Sequence, residues 1–250
     1  MNKAEVEEVI HEDEGLKTSP IEGREIFTDL NGRKFARYPI KTRLILFDED
    51  LIKIIKEYAS PHFKEGDLFC IASKVVSITR GFYVKESEVK VGWLAKFLVR
   101  FVKKWPDDPG FAVPRKIQLA IREAGWFRFT LAVFIGGFLK LVGIRGWFYR
   151  IAGNNVNAID GFLPPEFYPP KLRGYGFLAP KNPESICNEV EEKLGIPTII
   201  LDGNFIDNNI CGVSKSVKKK YSLNDLATIL KGNPQGQSGN TPMLIIREIK

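Results

Sequence analysis

Gly66-Asp-Leu-Phe-Cys-Ile-Ala-Ser-Lys-Val-Val-Ser77 is the stretch that decides the fold. Gly66-Asp67 turns the chain, Leu68-Phe-Cys-Ile-Ala72 reads as a buried strand, and Ser73-Lys74-Val-Val-Ser77 follows it at once. A short apolar run bounded by a turn signal fits such a strand. Where it ends, a lysine and two hydroxyls emerge together at the sheet's edge. A lysine point charge beside hydroxyl donors suits a phosphate. The competing reading is a surface lysine next to a strand end.

A second strand-like run, Ile196-Pro-Thr-Ile-Ile-Leu201, leads into Asp202-Gly-Asn-Phe-Ile-Asp-Asn-Asn209. A similar amide- and carboxylate-rich cluster stands at Asn154-Asn-Val-Asn-Ala-Ile-Asp-Gly161. Carboxylates among Asn and Gly at a strand end can offer oxygen ligands to a hard cation. The same composition makes ordinary turns, because these residues tolerate left-handed backbone and bond their own main chain. Both readings stay open at this level.

Working outward, Asn31-Gly32 between β-formers predicts a hairpin. A further strand is expected over Ile40–Phe47, then a helix capped by Asp48 and ending near Tyr58. Asn182 with Pro183, and Gly195 with Pro197, bracket a later helix. Ser222 and Asp225 form a capping-box pattern for a helix through Leu230. A turn-rich loop, Lys231–Asn240, precedes a last strand over Pro242–Arg247. Strands and helices alternate irregularly, which favours an α+β fold of mixed sheets with packed helices over a regular doubly wound sheet. Residues 1–20 are polar and are expected to be a flexible tail, with residues 21–250 as one domain.

Hydrophobic residues at 44% and charged residues at 27% describe a globular chain able to build a core. Cys70, Cys187 and Cys211 are dispersed beside apolar residues, so buried thiols in a reducing cytoplasm are expected. The start, Met1-Asn-Lys-Ala-Glu-Val-Glu-Glu, has no apolar core, so no signal peptide is expected. The net charge of +7 is concentrated: between Trp93 and Arg150 eleven basic residues face three acidic ones. A local basic field points to an anionic partner, whether a phosphate-bearing ligand, a membrane surface or nucleic acid.

That basic third also holds the longest apolar runs. Trp93–Trp105 predicts an amphipathic helix with Lys96, Arg100 and Lys103 on one face. Phe129–Ile144 predicts a buried helix; at about 24 Å it falls short of the ~30 Å hydrocarbon core and does not span. Peripheral membrane contact through these two segments is kept as a possible partner mode. The basic and aromatic residues of Arg145–Gly153 lack any nucleic-acid module, which argues against nucleic acid.

Several chemistries are excluded by what is missing. There is no Gly-x-x-x-x-Gly-Lys-Ser/Thr loop, and no Gly-x-Gly-x-x-Gly follows a strand. The two histidines, His11 and His62, lie in the tail and beside a proline, unsuited to a triad or a zinc site. Phosphoryl or acid–base chemistry would have to use carboxylates, lysines and a hard metal.

The order of the segments resembles the coenzyme F-420 gamma-glutamyl ligase family, in particular a divergent bacterial and plastid branch. The residues that carry the resemblance are Arg37–Thr42, Glu65–Ser77, Lys140–Gly153, Val156–Gly161, Leu201–Asn204 and Gly232–Gln237. The resemblance implies an unusual α+β ligase fold, an intertwined homodimer, and GTP (or another nucleotide) as co-substrate with Mg²⁺ or Mn²⁺. Its activity is the attachment of glutamate to a deazaflavin precursor, so the implied partners are a small carboxylate substrate, an amino acid and a nucleotide. Asp202 falls on the family's metal-binding aspartate. Lys74 and Ser77 fall on its Lys-x-x-Ser element near the nucleotide, with Asn155 a further nucleotide candidate. The departures are specific. Asn157 stands after Val156 where the ligases carry aspartate, and Asp160, three residues later, is the candidate to supply that charge; Asp207 is a further candidate metal ligand. The ligases continue their second aspartate with Thr-Phe-Gly-Arg, whereas here Asp202 is followed by Gly203-Asn204-Phe205-Ile206. The alternative is a catalytically silent binding or scaffold protein that kept the ligase fold.

Overall fold

The computed structural model describes residues 25–102, 112–144, 146–153, 156, 159, 162, 169–203, 208–236 and 240–249. In chain order, β1 (Phe27–Leu30) and β2 (Arg33–Ile40) precede α1 (Leu51–Tyr58), β3 (Leu68–Ala72) and α2 (Ser73–Thr79). Next come β4 (Tyr83–Lys85), α3 (Trp93–Leu98), α4 (Pro114–Ala124), α5 (Trp126–Leu141), α6 (Trp147–Ala152) and β5 (Tyr175–Phe177). The chain continues with α7 (Pro183–Leu194), β6 (Thr198–Gly203), β7 (Asn208–Val213), α8 (Lys215–Lys220), α9 (Leu223–Ile229) and β8 (Met243–Ile249). The fold is mixed α+β, as its segment order leads one to expect. It divides into two compact units: Gly81–Lys181 forms one, and the segments before and after it form the other.

The first unit is built on a six-stranded sheet of order β1-β2-β8-β3-β6-β7. The β1–β2 hairpin turns at Asn31 and Gly32, both at positive φ, as a tight two-residue turn of matching twist requires. Gly32 N–H also donates to Asp29 Oδ1 at 2.9 Å. Strand β2 runs on through Pro39 to Ile40, paired with β8. Arg37 N–H donates toward the β1 side, to Ile26 O, so by strand alternation the missing N–H of Pro39 faces the same side, beyond the end of β1.

The strand expected over Ile40–Phe47 does not form. Strand β8 begins opposite Ile40, so the residues after it have no ladder to join. They are held instead by Glu49, which pairs with Arg43 and accepts from Leu46 N–H. Asp48 is the left-handed turn residue, at φ 64°, and not the helix cap. The cap is Asp50, whose Oδ1 accepts from Ile52 and Lys53 N–H at 2.8 and 3.1 Å. The other helix ends of this unit match the sequence pattern in position: Asn182, left-handed and making no side-chain cap bond, and Gly195 bracket α7, and Ser222 with Asp225 forms a complete capping box on α9.

Strand β3 lies parallel to β6 and antiparallel to β8, with helices over both faces of the sheet. One face packs Cys70, Leu68, Ile199, Leu201, Leu244 and Ile246 against Val217, Tyr221, Leu226 and Ile229 of the α8–α9 region. Alternate residues Phe69, Ile71, Ile200 and Ile245 are also buried, and α7 packs on β6 and β7. Cover on both faces explains why β3 and β6 read as unbroken apolar runs. Three features of this unit escape the sequence pattern: helix α2 directly after β3, strand β7 with its polar start, and the lysine-rich α8.

The second unit joins the β4–β5 pair to α3, α4, α5 and α6 around a core of Ile117, Leu119, Ala120, Phe129, Ala152, Val156 and Ile159. The helix expected over Trp93–Trp105 is shorter, because α3 tightens into a 3-10 turn at Val99–Phe101 and Val102 is extended. Lys103 and Trp105 lie outside the described residues. The helix expected as buried over Phe129–Ile144 is instead α5, of which only Phe129 and Ala132 are buried. One face of α5 suffices to pack on α6, where Gly136 comes against the backbone of Phe148. Its other side is apolar and exposed. Among the described residues no single helix is long and apolar enough to cross a membrane; α4 and α5 together have the length and composition but are bent at 111°.

Candidate functional site

The parallel pairing of β3 with β6 sets Ala72 beside Leu201. The residues that follow, Ser73 and Asp202, therefore emerge side by side at the same sheet end. Ser73 Oγ donates to Asp202 Oδ1 at 3.2 Å. Ser73 is buried and Asp202 half-buried. Helix α2 starts directly at Ser73, so Lys74 and Ser77 sit three residues apart on its first turns. Ser77 is buried and Lys74 half-buried.

Other segments arrive at this end because of the strand directions. Strand β8 starts here, and Ala72 N–H donates to Pro242 O at 2.8 Å. The buried amide of Gln235 donates to Pro242 O at 2.8 Å and to Cys70 O at 3.5 Å. Asn233 Oδ1 accepts from Gln235 N–H, and Gly236 bridges Thr241, which shapes the loop against the strand ends. Thr42 N–H donates to Asn240 O, bringing the end of β2 to the same loop. Pieces of Arg37–Thr42, Glu65–Ser77, Leu201–Asn204 and Gly232–Gln237, scattered in sequence, thus share one end of one sheet. Gln235 and Asn233 were not singled out from the sequence; their place in the Gly232–Gln237 segment was the available signal.

The second Asn/Asp cluster is resolved into strand ends. Strand β6 runs through Gly203 and β7 begins at Asn208, with Asp202 opposite Asn209. Asp207 lies outside the described residues, as do Asn155, Asn157 and Asp160 of the first cluster. Val156 and Ile159 of that first cluster are core residues of the second unit. Cys211 stands next to Asp202; burial pushes its thiol up to about 12, and the Asp202 carboxylate adds to the shift. Burial likewise pushes Cys187 up to about 12, and all three cysteines are free thiols.

Among the described residues no group of three His, Cys, Asp or Glu could hold a metal ion. Asp202 with Ser73 supplies two hard oxygen donors. That is a partial set, which suits a Mg²⁺-like ion that keeps waters and takes its other ligands from substrate phosphates.

No curated protein matches the chain. The family model for F420-0:Gamma-glutamyl ligase matches residues 39–133, a span that includes β3, Ser73, Lys74 and Ser77 and ends before Asp202. Over residues 39–133, about two-fifths of its length, the chain is thus similar to the F420-0:Gamma-glutamyl ligase family.

Proposed function

We propose that the chain is an amide-forming ligase that uses a nucleotide and a divalent metal to join a carboxylate substrate to an amino acid. The carrying observation is the placement of Ser73, Lys74 and Asp202 at adjacent ends of parallel strands, within and next to the family-matched segment. The reaction transfers the nucleotide's terminal phosphoryl group to a carboxylate oxygen. The amino acid's amine then attacks the acyl carbon, the C–N bond forms, and phosphate leaves as the nitrogen loses its proton. In this reading Lys74 faces the phosphates as a fixed positive charge, and Ser77, the other nucleotide candidate, is buried on the same helix. Asp202 would hold the Mg²⁺ or Mn²⁺, which when bound would neutralise charge on the phosphates.

Asn155 for the nucleotide, and Asp160, Asp207 and Asn157 for the metal, belong to the same proposal. So do GTP as the nucleotide, a deazaflavin precursor with glutamate as substrates, the ligase fold with its homodimer, and a cytoplasmic location. Titration calorimetry of the full chain with GTP or ATP in Mg²⁺ or Mn²⁺ tests the reading. Binding is expected for wild type and is expected to weaken at least about tenfold in Asp202→Ala. No binding to wild type, or the same affinity in the variant, overturns it. The second reading, a silent ligase-fold scaffold, is favoured by Asn157 where the family carries a carboxylate, and it requires the titration to be flat.

A further inference from the structure

Helix α5 carries a continuous apolar stripe on the side away from its packing partners. Phe127, Leu131, Phe134, Phe138 and Leu141 follow one another at spacings of four and three, and are 67, 42, 72, 67 and 87% exposed. The side of the helix that packs is different: Phe129 and Ala132 are buried there, and Gly136 meets Phe148. A soluble surface helix buries its apolar stripe and shows its polar one. Here both stripes are apolar, and the exposed one is too large to be scattered surface hydrophobics. Trp126, 69% exposed, stands at its start, directly after the Gly125 corner.

The charges on α5 are all of one sign. Arg128 and Lys140 are exposed near its two ends, Arg128 with its Nε donating to Ile151 O, and Trp126–Leu141 contains no acidic residue. On α3 and the 3-10 turn after it, a second row of Trp93, Phe97 and Phe101 is 78, 49 and 73% exposed, with Lys96 and Arg100 exposed among them. The whole Trp93–Arg150 region sets eleven basic residues against three acidic ones.

We infer that this face docks on an anionic lipid surface, with the aromatic stripe of α5 in the headgroup and upper acyl region and its cations on lipid phosphates. An apolar stripe flanked by Lys and Arg and headed by Trp is the pattern that lies in the plane of a bilayer interface. The observed length agrees, since α5 alone is not long and apolar enough to cross. A second copy of the chain is a poorer occupant. Pairing α5 with itself would set cations against cations with no acid on the helix to relieve them, a juxtaposition that interfaces select against. This inference is independent of the ligase reading.

The test is co-sedimentation of the full chain with vesicles of phosphatidylcholine alone and of phosphatidylcholine with phosphatidylserine. Wild type pellets with the anionic vesicles, binds neutral ones at least about tenfold less, and is released in about 0.5 M salt. Phe134→Ser with Phe138→Ser alters only exposed positions and is expected to lose at least about tenfold in binding while keeping the wild-type melting temperature. Lys96→Glu with Lys140→Glu is expected to do the same without touching the apolar stripe. Wild type remaining in the supernatant at low salt overturns the inference, and so does equal binding to neutral and anionic vesicles. A protein that ignores vesicles and self-associates until Phe134 and Phe138 are changed would assign the face to a second copy.

Discussion

Ser73 Oγ donates to the Asp202 carboxylate at 3.2 Å, joining the ends of two neighbouring parallel strands that lie 129 positions apart in sequence. A carboxylate offers about four acceptor sites, so accepting from a serine leaves its charge to act on a cation. Asp202→Asn preserves shape and the serine contact but removes that charge. Its expected effect is at least about a tenfold loss of Mn²⁺-dependent nucleotide affinity, against a few-fold loss for Ser73→Ala. Calorimetry on both variants, with circular dichroism to check the fold, makes the comparison. Equal losses would mean the pair shapes the strand ends and does not bind metal.

Elsewhere in the same unit a charge pair is held with little exposure to water. Arg247 on β8 donates to both oxygens of Asp67 at 2.8 and 2.7 Å, and to His62 O at 3.0 Å. Asp67 also accepts from Lys64 N–H, and its side chain is only 2% exposed. Removing one partner strands the other in the core, so Arg247→Ala should cost about 3–5 kcal/mol in urea unfolding. Changing both, as in Asp67→Asn with Arg247→Met, should cost less than the sum of the single changes, because no lone charge remains buried.

Much of this sheet was legible from local chemistry. The Asn31-Gly32 turn, the β3 and β6 runs, the α7 ends and the α9 capping box each rest on short-range signals that tertiary contacts did not override. The misreadings share a different cause. Ile40–Phe47 has strand composition, yet β8 offers no partner past Ile40, and pairing is not visible in a single segment. Phe129–Ile144 is apolar enough to be buried, but apolarity does not say whether a second surface exists to cover it. The candidate site was only half legible, because the Ser73–Asp202 contact depends on a parallel crossover joining distant strands.

The corrected cap on α1 separates two aspartates that differ by two positions. Backbone N–H groups of Lys53 and Ile52 hold the Asp50 carboxyl below its ordinary value, despite some opposing desolvation. Because the folded value is depressed, this contribution is present above the unfolded carboxylate value near pH 4 and is lost as pH falls through the folded one. Asp50→Ala should cost about 1 kcal/mol at neutral pH, with the gap from wild type narrowing in strong acid. Asp48→Gly should be neutral or stabilising, since position 48 has φ 64° and needs no carboxylate cap. Melting curves across pH would detect both; a larger loss at position 48 would restore the cap to Asp48.

The close approach of α5 to α6 gives adjacent glycines opposite roles. A Cβ at Gly136 would meet the N, Cα and Cβ of Phe148 at 2.9 Å, and backbone atoms cannot swing aside as a side-chain tip can. A Cβ at Gly137 would meet nothing within 4 Å. Gly136→Ala should therefore push the helices apart and cost about 1–3 kcal/mol through overpacking. Gly137→Ala should gain up to about 1 kcal/mol from the better helix propensity of alanine. Hydrogen exchange across Trp126–Ala152 reads the two effects locally: faster exchange at α6 for the first variant, slower exchange in α5 for the second. Matching protection in the two variants would show that the glycine at 136 is not required by packing.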